Sequence, residues 1–219
     1  MLHLKFKSKD YGRVLFSSDW HDQHKQPFIF EPRGFSTWQE HSSFIRKELS
    51  SLREDDLLFF LGDLALNTTP EYVADLLDEI PCETYVINGN HPSGVKQAYR
   101  AAYSAAGFPA GGEFFPLHIA KNVTHLGDHF LLDIDRSKFY CIHMAPLIWE
   151  EQGKRNRKCL AGHSHGTLTP ANPGENGLGK ILDVGVDNAI KYNGGAFFEI
   201  KEVVAILDQK QDKSHDHHS

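Results

Sequence analysis

Leu57-Leu58-Phe59-Phe60-Leu61-Gly62-Asp63 decides how the chain is read. Five consecutive apolar residues are too few for a helix with two buried faces. They suit a strand covered on both sides, and glycine with an acid then ends the run. Arg13–Ser18 ends in Asp19-Trp20-His21, and Thr84–Asn88 ends in Gly89-Asn90-His91. Phe139–His143 ends in its own histidine, and Lys158–Ala161 runs into Gly162-His163-Ser164-His165. Ile181–Val186 and Ala196–Ile200 are further strand-like runs.

Between the first three strands the signals are helical. Ser36-Thr37-Trp38-Gln39-Glu40 carries two overlapping capping boxes, and Trp38, Ile45, Leu49 and Leu52 follow on one face. Thr69-Pro70 opens a second helix, Val73, Leu76, Leu77 and Ile80 give its apolar stripe, and Pro81 closes it. Strand–helix alternation predicts βαβ units and a largely parallel sheet. The second half changes character: Val123–Ile134 and Phe139–His143 read as a hairpin across Asp135-Arg136-Ser137-Lys138, and residues 104–122 as a surface excursion. The expected fold class is α/β, a four-layer α/β/β/α sandwich with two central, mainly parallel or mixed sheets.

Composition narrows the class. At 219 residues with 40% hydrophobic and 24% charged side chains, a single domain over residues 1–207 is expected. Residues 208–219, DQKQDKSHDHHS, read as a polar, disordered tail holding His215, His217 and His218. No run of about 18 apolar residues occurs, which argues against a membrane span. The charged N-terminus does not read as a signal peptide. Cys82, Cys141 and Cys159 are odd in number and lack CxxC spacing, which argues against disulfides and zinc–thiolate sites and fits a cytoplasmic setting. A net charge of −6 offers no general basic surface, so nucleic acid is not the favoured partner.

In open α/β sheets ligands bind beyond the carboxyl ends of the strands, and Asp, Asn and His collect at these ends. Carboxylate oxygen with imidazole nitrogen suits zinc, iron, manganese or nickel. Two such ions about 3.5–4 Å apart can bind both the attacking and the leaving oxygen of a phosphoryl displacement. Asp63, central in the order, is the candidate bridge.

The ordered set DxH, GD, GNH, H and GHxH resembles the calcineurin-like metallophosphoesterase superfamily. The match spans positions 19 to 165. The stretch from Ser18 to His24 also resembles small, uncapped phosphoesterases of bacteria and phages. The resemblance implies one divalent or trivalent transition-metal ion held by Asp19, His21, Asp63 and His165. It implies a second held by Asp63, Asn90, His143 and His163, with identities among Mn, Fe, Zn and Ni open. A metal-held hydroxide would attack phosphorus, and His91 would face the leaving group as the catalytic histidine.

One position departs from the family: an acidic residue usually follows GNH, and here Pro92 does. Asp22 and the carboxylates from Asp133 to Asp135 are the candidates to orient His91 instead. The altered setting favours good leaving groups, hence small nucleotide-like or cyclic phosphodiesters. Phosphomonoesters, nucleic-acid ends and a non-enzymatic scaffold are the alternatives, although a scaffold would be expected to have lost ligands. His24 reads equally as pocket lining or exposed loop. Asp183, Asp187 and Asn188 read as support for the ligands or as turn residues. Lys154–Lys158 reads as a solvated charge run, and His118, His125 and His129 as surface or hairpin residues.

Overall fold

Successive side chains of Leu57–Phe60 point to opposite sides, and both sides are buried. Leu57 and Phe59 enter one apolar core, Leu58 and Phe60 another. Two cores on either side of one strand require layers above and below it. The computed structural model describes residues 1–91, 93–109, 112–113, 115–152, 157–168 and 179–211. The first half holds β1 (His3–Phe6), β2 (Val14–Ser17), α1 (Pro27–Phe30), α2 (Trp38–Ser50), β3 (Leu57–Phe60), α3 (Pro70–Asp78), β4 (Glu83–Val86) and α4 (Ser93–Ala105). The second half adds β5 (Leu117–Ala120), β6 (Val123–His125), β7 (His129–Ile134), β8 (Ser137–Met144) and β9 (Lys158–Gly162). It ends with β10 (Ile181–Asp183), α5 (Val186–Asn193), β11 (Phe198–Glu199) and α6 (Ile200–Asp208).

The strands form two mixed sheets, in the orders β11-β2-β3-β4-β6-β5 and β1-β7-β8-β9-β10. The chain visits β2, β3, β4 and β6 in spatial order, all parallel. Crossovers of one hand progressing in one direction put their helices on one face. Accordingly Ile45 and Leu49 of α2, Val73, Leu76 and Leu77 of α3, and Val95 of α4 share the core on that side. The opposite face packs on the second sheet through Phe16, Phe59, Phe130, Phe139, Leu160 and Leu182. The architecture is a layered α/β sandwich. Among the described residues, no helix is long and apolar enough to cross a membrane.

The helix starts follow their capping chemistry. Thr37 accepts the Glu40 N–H at 3.2 Å, while Glu40 reaches back to the Ser36 N–H at 2.8 Å. Thr69 caps α3 by accepting the Tyr72 N–H at 3.3 Å, with Pro70 at its first position. Several expectations need correction. Val123–Ile134 is not one strand: β6 lies in the six-stranded sheet and β7 in the other. The chain changes sheets between them at Gly127, whose φ is 89°. Residues 104–122 contain the last two residues of α4 and the whole of β5. Ala196–Ile200 gives only a short β11, because the Glu199 and Glu202 side chains form a capping box that starts α6. Lys210 is buried with its ammonium on the Ile181 carbonyl, so the packed chain passes residue 207. Residues 212–219, with the three tail histidines, lie outside the described residues.

Arg157 and Lys158 are not a solvated run. They are buried and paired with Glu151 at 2.7 Å and Asp208 at 2.9 Å, while 154–156 lie outside the described residues. His125 is buried rather than superficial, with Nε2 3.0 Å from Asn88 Oδ1. All three cysteines are buried as free thiols.

Phe59 is the hub between the sheets. Its ring stacks on Phe16 at 5.4 Å, Tyr85 at 5.6 Å and Phe130 at 5.8 Å. Phe59→Ala is expected to cost about 3–5 kcal/mol in urea unfolding; a cost below about 1 kcal/mol would contradict this packing. Burial also pushes the His125 pKa down to about 4. The unfolded ring takes its proton near pH 6.5. Below that pH the unfolded state therefore binds the extra proton, and stability falls until the folded pKa is reached. His125→Gln should flatten the loss of stability between about pH 6.5 and 4 relative to the native chain, read by urea midpoints.

Candidate metal centre

The ends of β2 and β3 lie side by side because these strands are parallel and in register. The pairing continues beyond them: the Asp19 N–H donates to the Gly62 carbonyl and the His21 N–H to the Asp63 carbonyl, both at 3.0 Å. Here the backbone leaves ordinary strand geometry. Asp19, His21, Asp63, His163 and His165 have φ of 57°, 47°, 58°, 67° and 46°. Left-handed conformations at non-glycine residues are uncommon, and such strain gathers at functional sites. Five of the seven expected ligands carry it. It turns their side chains into one space above the sheet ends.

Asp19, His21 and His165 bring ligand atoms within 4.8 Å of one another, and so do Asp19, Asp63 and His143. His21 Nε2 stands 3.5 Å from Asp63 Oδ2 and 3.9 Å from Asp19 Oδ1. His143 Nε2 is 3.4 Å from Asp63 Oδ2. Asn90 Oδ1 is 2.8 Å from both His143 Nε2 and His163 Nδ1. Atoms held about 2.1 Å from one ion at 90–110° stand about 3–3.4 Å apart, close to these separations. All seven expected ligands thus converge, with Asp63 between the two groups.

The unpaired atoms indicate what belongs there. Among the described residues, neither ring nitrogen of buried His21 nor Asp19 Oδ1 has a hydrogen-bond partner. Buried polar atoms without partners are costly, and ligand-rich sites are where they persist. His143 Nδ1 lies 2.7 Å from the Leu61 carbonyl, which can only accept, so Nδ1 bears the proton. In the neutral ring, Nε2 then points a lone pair at Asn90 Oδ1, itself an acceptor. A second proton on the ring, a reversed Asn90 amide or a cation between them resolves this contact. The residues therefore fit a pair of metal ions.

Charge balance agrees. Burial raises the Asp19 pKa, against the charges of His143 and the Ser18 hydrogen bond at 2.6 Å. Burial pushes His21 down to about 3, leaving it the neutral ring that a metal requires. For His143 burial acts downward, but the Asp63 carboxylate and the charge of Asp19 outweigh it and raise the pKa. A cation would meet the same excess of negative charge.

His91 lies at the open edge. Its backbone N–H donates to Asp63 Oδ1 at 2.8 Å, and its exposed ring stands 5.7 Å from the His21 ring. The expected orienting carboxylates are engaged elsewhere. Asp22 accepts from Ser42 and Tyr72, both at 2.6 Å. Asp133 pairs with His3 at 3.1 Å, and Asp135 accepts from Ser8 at 2.6 Å. Pro92 lies outside the described residues. His24 resolves toward pocket lining: it is buried, 5.8 Å from the His21 ring and 5.5 Å from Phe28.

Behind the ligands, Asp187 Oδ2 accepts from His165 Nδ1 at 3.2 Å, which leaves His165 Nε2 free to bind. Asp183 accepts the N–H groups of Gly185 and Gly166, at 2.7 and 3.1 Å, and fixes the loop after His165. Asn188 is buried in α5, with its amide on the Leu168 and Asp183 carbonyls. Sequence reasoning missed Arg33, which grips Asp187 through two hydrogen bonds of 3.0 and 2.7 Å. Nothing in the Glu31-Pro32-Arg33-Gly34 turn distinguishes it from an exposed arginine, although its side chain is fully buried.

No protein family compared matches this chain, and no curated protein does. Among solved structures, the fold is similar to that of AQ665 from Aquifex aeolicus, a protein of unknown function. The two are 16% identical with a TM-score of 0.53, over 89% of this chain and 98% of that one. At this identity the likeness speaks for fold alone.

Gly89 makes the geometry testable. A Cβ there would collide with the Asp63 carboxylate and backbone. Gly89→Ala should displace the shared ligand and lower bound metal from two ions to below one per chain by mass spectrometry, with far-ultraviolet circular dichroism retained. Full metal content in Gly89→Ala would contradict the placement of Asp63.

Proposed function

We propose that this protein is a calcineurin-like metallophosphoesterase that hydrolyses small phosphodiesters, nucleotide-like or cyclic, with two metal ions. The observation that carries the reading is the convergence of ligand atoms: among the described residues Asp19 Oδ1 and both His21 ring nitrogens lack hydrogen-bond partners, while Asn90 Oδ1 stands 2.8 Å from both His143 Nε2 and His163 Nδ1. When bound, the ions supply Lewis acidity toward phosphoryl oxygens and lower the pKa of water enough to yield a nucleophile near neutral pH.

The chain's own residues divide the remaining work. Asp63 Oδ2 faces His21 and His143 and ties the two groups together, while its Oδ1 takes the His91 N–H and fixes the carboxylate's rotation. His143 is oriented by a backbone carbonyl and His165 by Asp187, so each presents Nε2. Asn90, His91 and the half-buried His163 face solvent, which leaves an approach for substrate from that edge. His91 is placed to hold or donate a proton at the leaving oxygen. No carboxylate among the described residues orients it, which supports substrates whose leaving group departs with little protonation.

Purified protein loaded with manganese, nickel or zinc should turn over bis-aryl phosphate and 2′,3′-cyclic nucleotides faster than aryl phosphate or single-stranded DNA. Asp63→Asn should lower turnover at least 100-fold, about the scale of losing a main electrostatic contribution to catalysis; unchanged turnover would refute the two-metal reading. His91→Ala should cost about 10²–10⁴-fold on alkyl diesters and much less on aryl diesters. Equal losses on both would remove His91 from leaving-group chemistry.

A further inference from the structure

We infer that Arg33 is a positioning residue that governs metal affinity in the Asp19–His21–His165 sphere and leaves the Asn90–His143–His163 sphere largely alone. The inference rests on the two-metal reading. Arg33 lies in the short turn after α1, and its side chain is fully buried. Most of its donors point toward the Asp19–His165 side of the site. Nε and Nη2 clamp Asp187, Nη2 also donates to the Asp19 carbonyl at 2.8 Å, and Nη1 to the Trp20 carbonyl at 2.9 Å. The remaining Nη1 contact goes to His41 Nε2 at 2.8 Å.

Apart from the His41 contact, these bonds end on Asp19, on the Trp20 carbonyl between Asp19 and His21, or on the Asp187 that orients His165. Asp19 and His21 hold left-handed backbones, with φ of 57° and 47°, and the two carbonyls between them end on Arg33. The guanidinium thereby fixes a strained turn that would otherwise relax to an ordinary one. Asp187, clamped by Arg33, orients the His165 ring through Nδ1. Arg33 Nη2 also lies 3.3 Å from that same nitrogen. One buried cation thus organises Asp19, His21 and His165 together.

The other sphere is held differently. His143 is fixed by the Leu61 carbonyl, and Asn90 bridges His143 and His163. It meets Arg33's neighbours through the His163 N–H on Asp19 Oδ2, at 2.8 Å, and through Asp63, whose Oδ2 faces both His21 and His143. A purely structural role for Arg33 would weaken both spheres alike. A positioning role weakens one.

Lysine keeps the charge but lacks the planar fork of donors, so Arg33→Lys tests the geometry. Asp187→Asn keeps the shape of the partner but removes its charge, and tests the same relay from its other end. Manganese is titrated calorimetrically into the full metal-free chain, whose native form should show two binding steps. Each variant should weaken one step about 10–100-fold and leave the other within about twofold. Adding His143→Ala to either variant should then remove the remaining tight step. Circular dichroism reports folding, and Asp187→Asn decides the matter should Arg33→Lys unfold. Two unchanged steps in Asp187→Asn, or equal weakening of both steps, would overturn the inference while the two-metal reading survives. A native chain that binds no manganese, nickel or zinc would overturn both.

Discussion

Two carboxylates buried at the ends of adjacent parallel strands are the constraint on which the rest of this structure depends. Asp19 and Asp63 end β2 and β3, and each is nearly sealed from water. A buried carboxylate is expensive unless it is neutralised, hydrogen-bonded or paired with a cation. The hydrogen bonds present satisfy Asp19 Oδ2 and Asp63 Oδ1, from the His163 and His91 N–H groups, and leave the other two oxygens facing imidazoles. The remaining demand for positive charge is local and directional. The proposed metal ions would meet it, and so many histidines would then share the space as their ligands.

The sandwich exists to make this arrangement rigid. Phe59 and its aromatic neighbours lock the two sheets, so that β8 and β9 of one deliver His143, His163 and His165 over strand ends of the other. Left-handed turns at five ligands then aim the side chains. At Gly89 and Gly162 even a methyl group would strike Asp63, Ser18 or Asp19. Local strain and missing side chains are therefore part of the same construction. The core supplies the stability that such a site consumes.

Much of this was legible in the sequence. Continuous apolar runs such as Leu57–Leu61 reported strands with two buried faces, and Thr37 and Thr69-Pro70 marked helix starts through local chemistry. The converging ligands were legible because each one ends a run. What was hidden depended on distant partners. Ala196–Ile200 reads as a strand because its apolar residues suit one, and only the Glu199–Glu202 pair marks the helix that starts at Ile200. The crossing at Gly127 depends on which sheet has room for each strand, which no local pattern encodes. Arg33 was invisible because its partners lie up to 154 residues away. Asp187 is coupled to His165 across 22 residues and a loop.

The two proposed ligand groups rest on unlike foundations. Asp19, His21 and His165 depend on a buried ion pair and a strained turn, whereas His143 depends on a backbone carbonyl at the end of a long strand. His91 depends on neither, and its freedom separates metal binding from leaving-group chemistry. Anomalous diffraction from crystals grown with manganese or zinc tests the proposed metal pair most directly. Two anomalous peaks are expected about 3.5–4 Å apart, flanking the Asp63 carboxylate. One should be bound by Asp19, His21 and His165 and the other by Asn90, His143 and His163. No peak at these side chains, or ions bound away from Asp63, would contradict it.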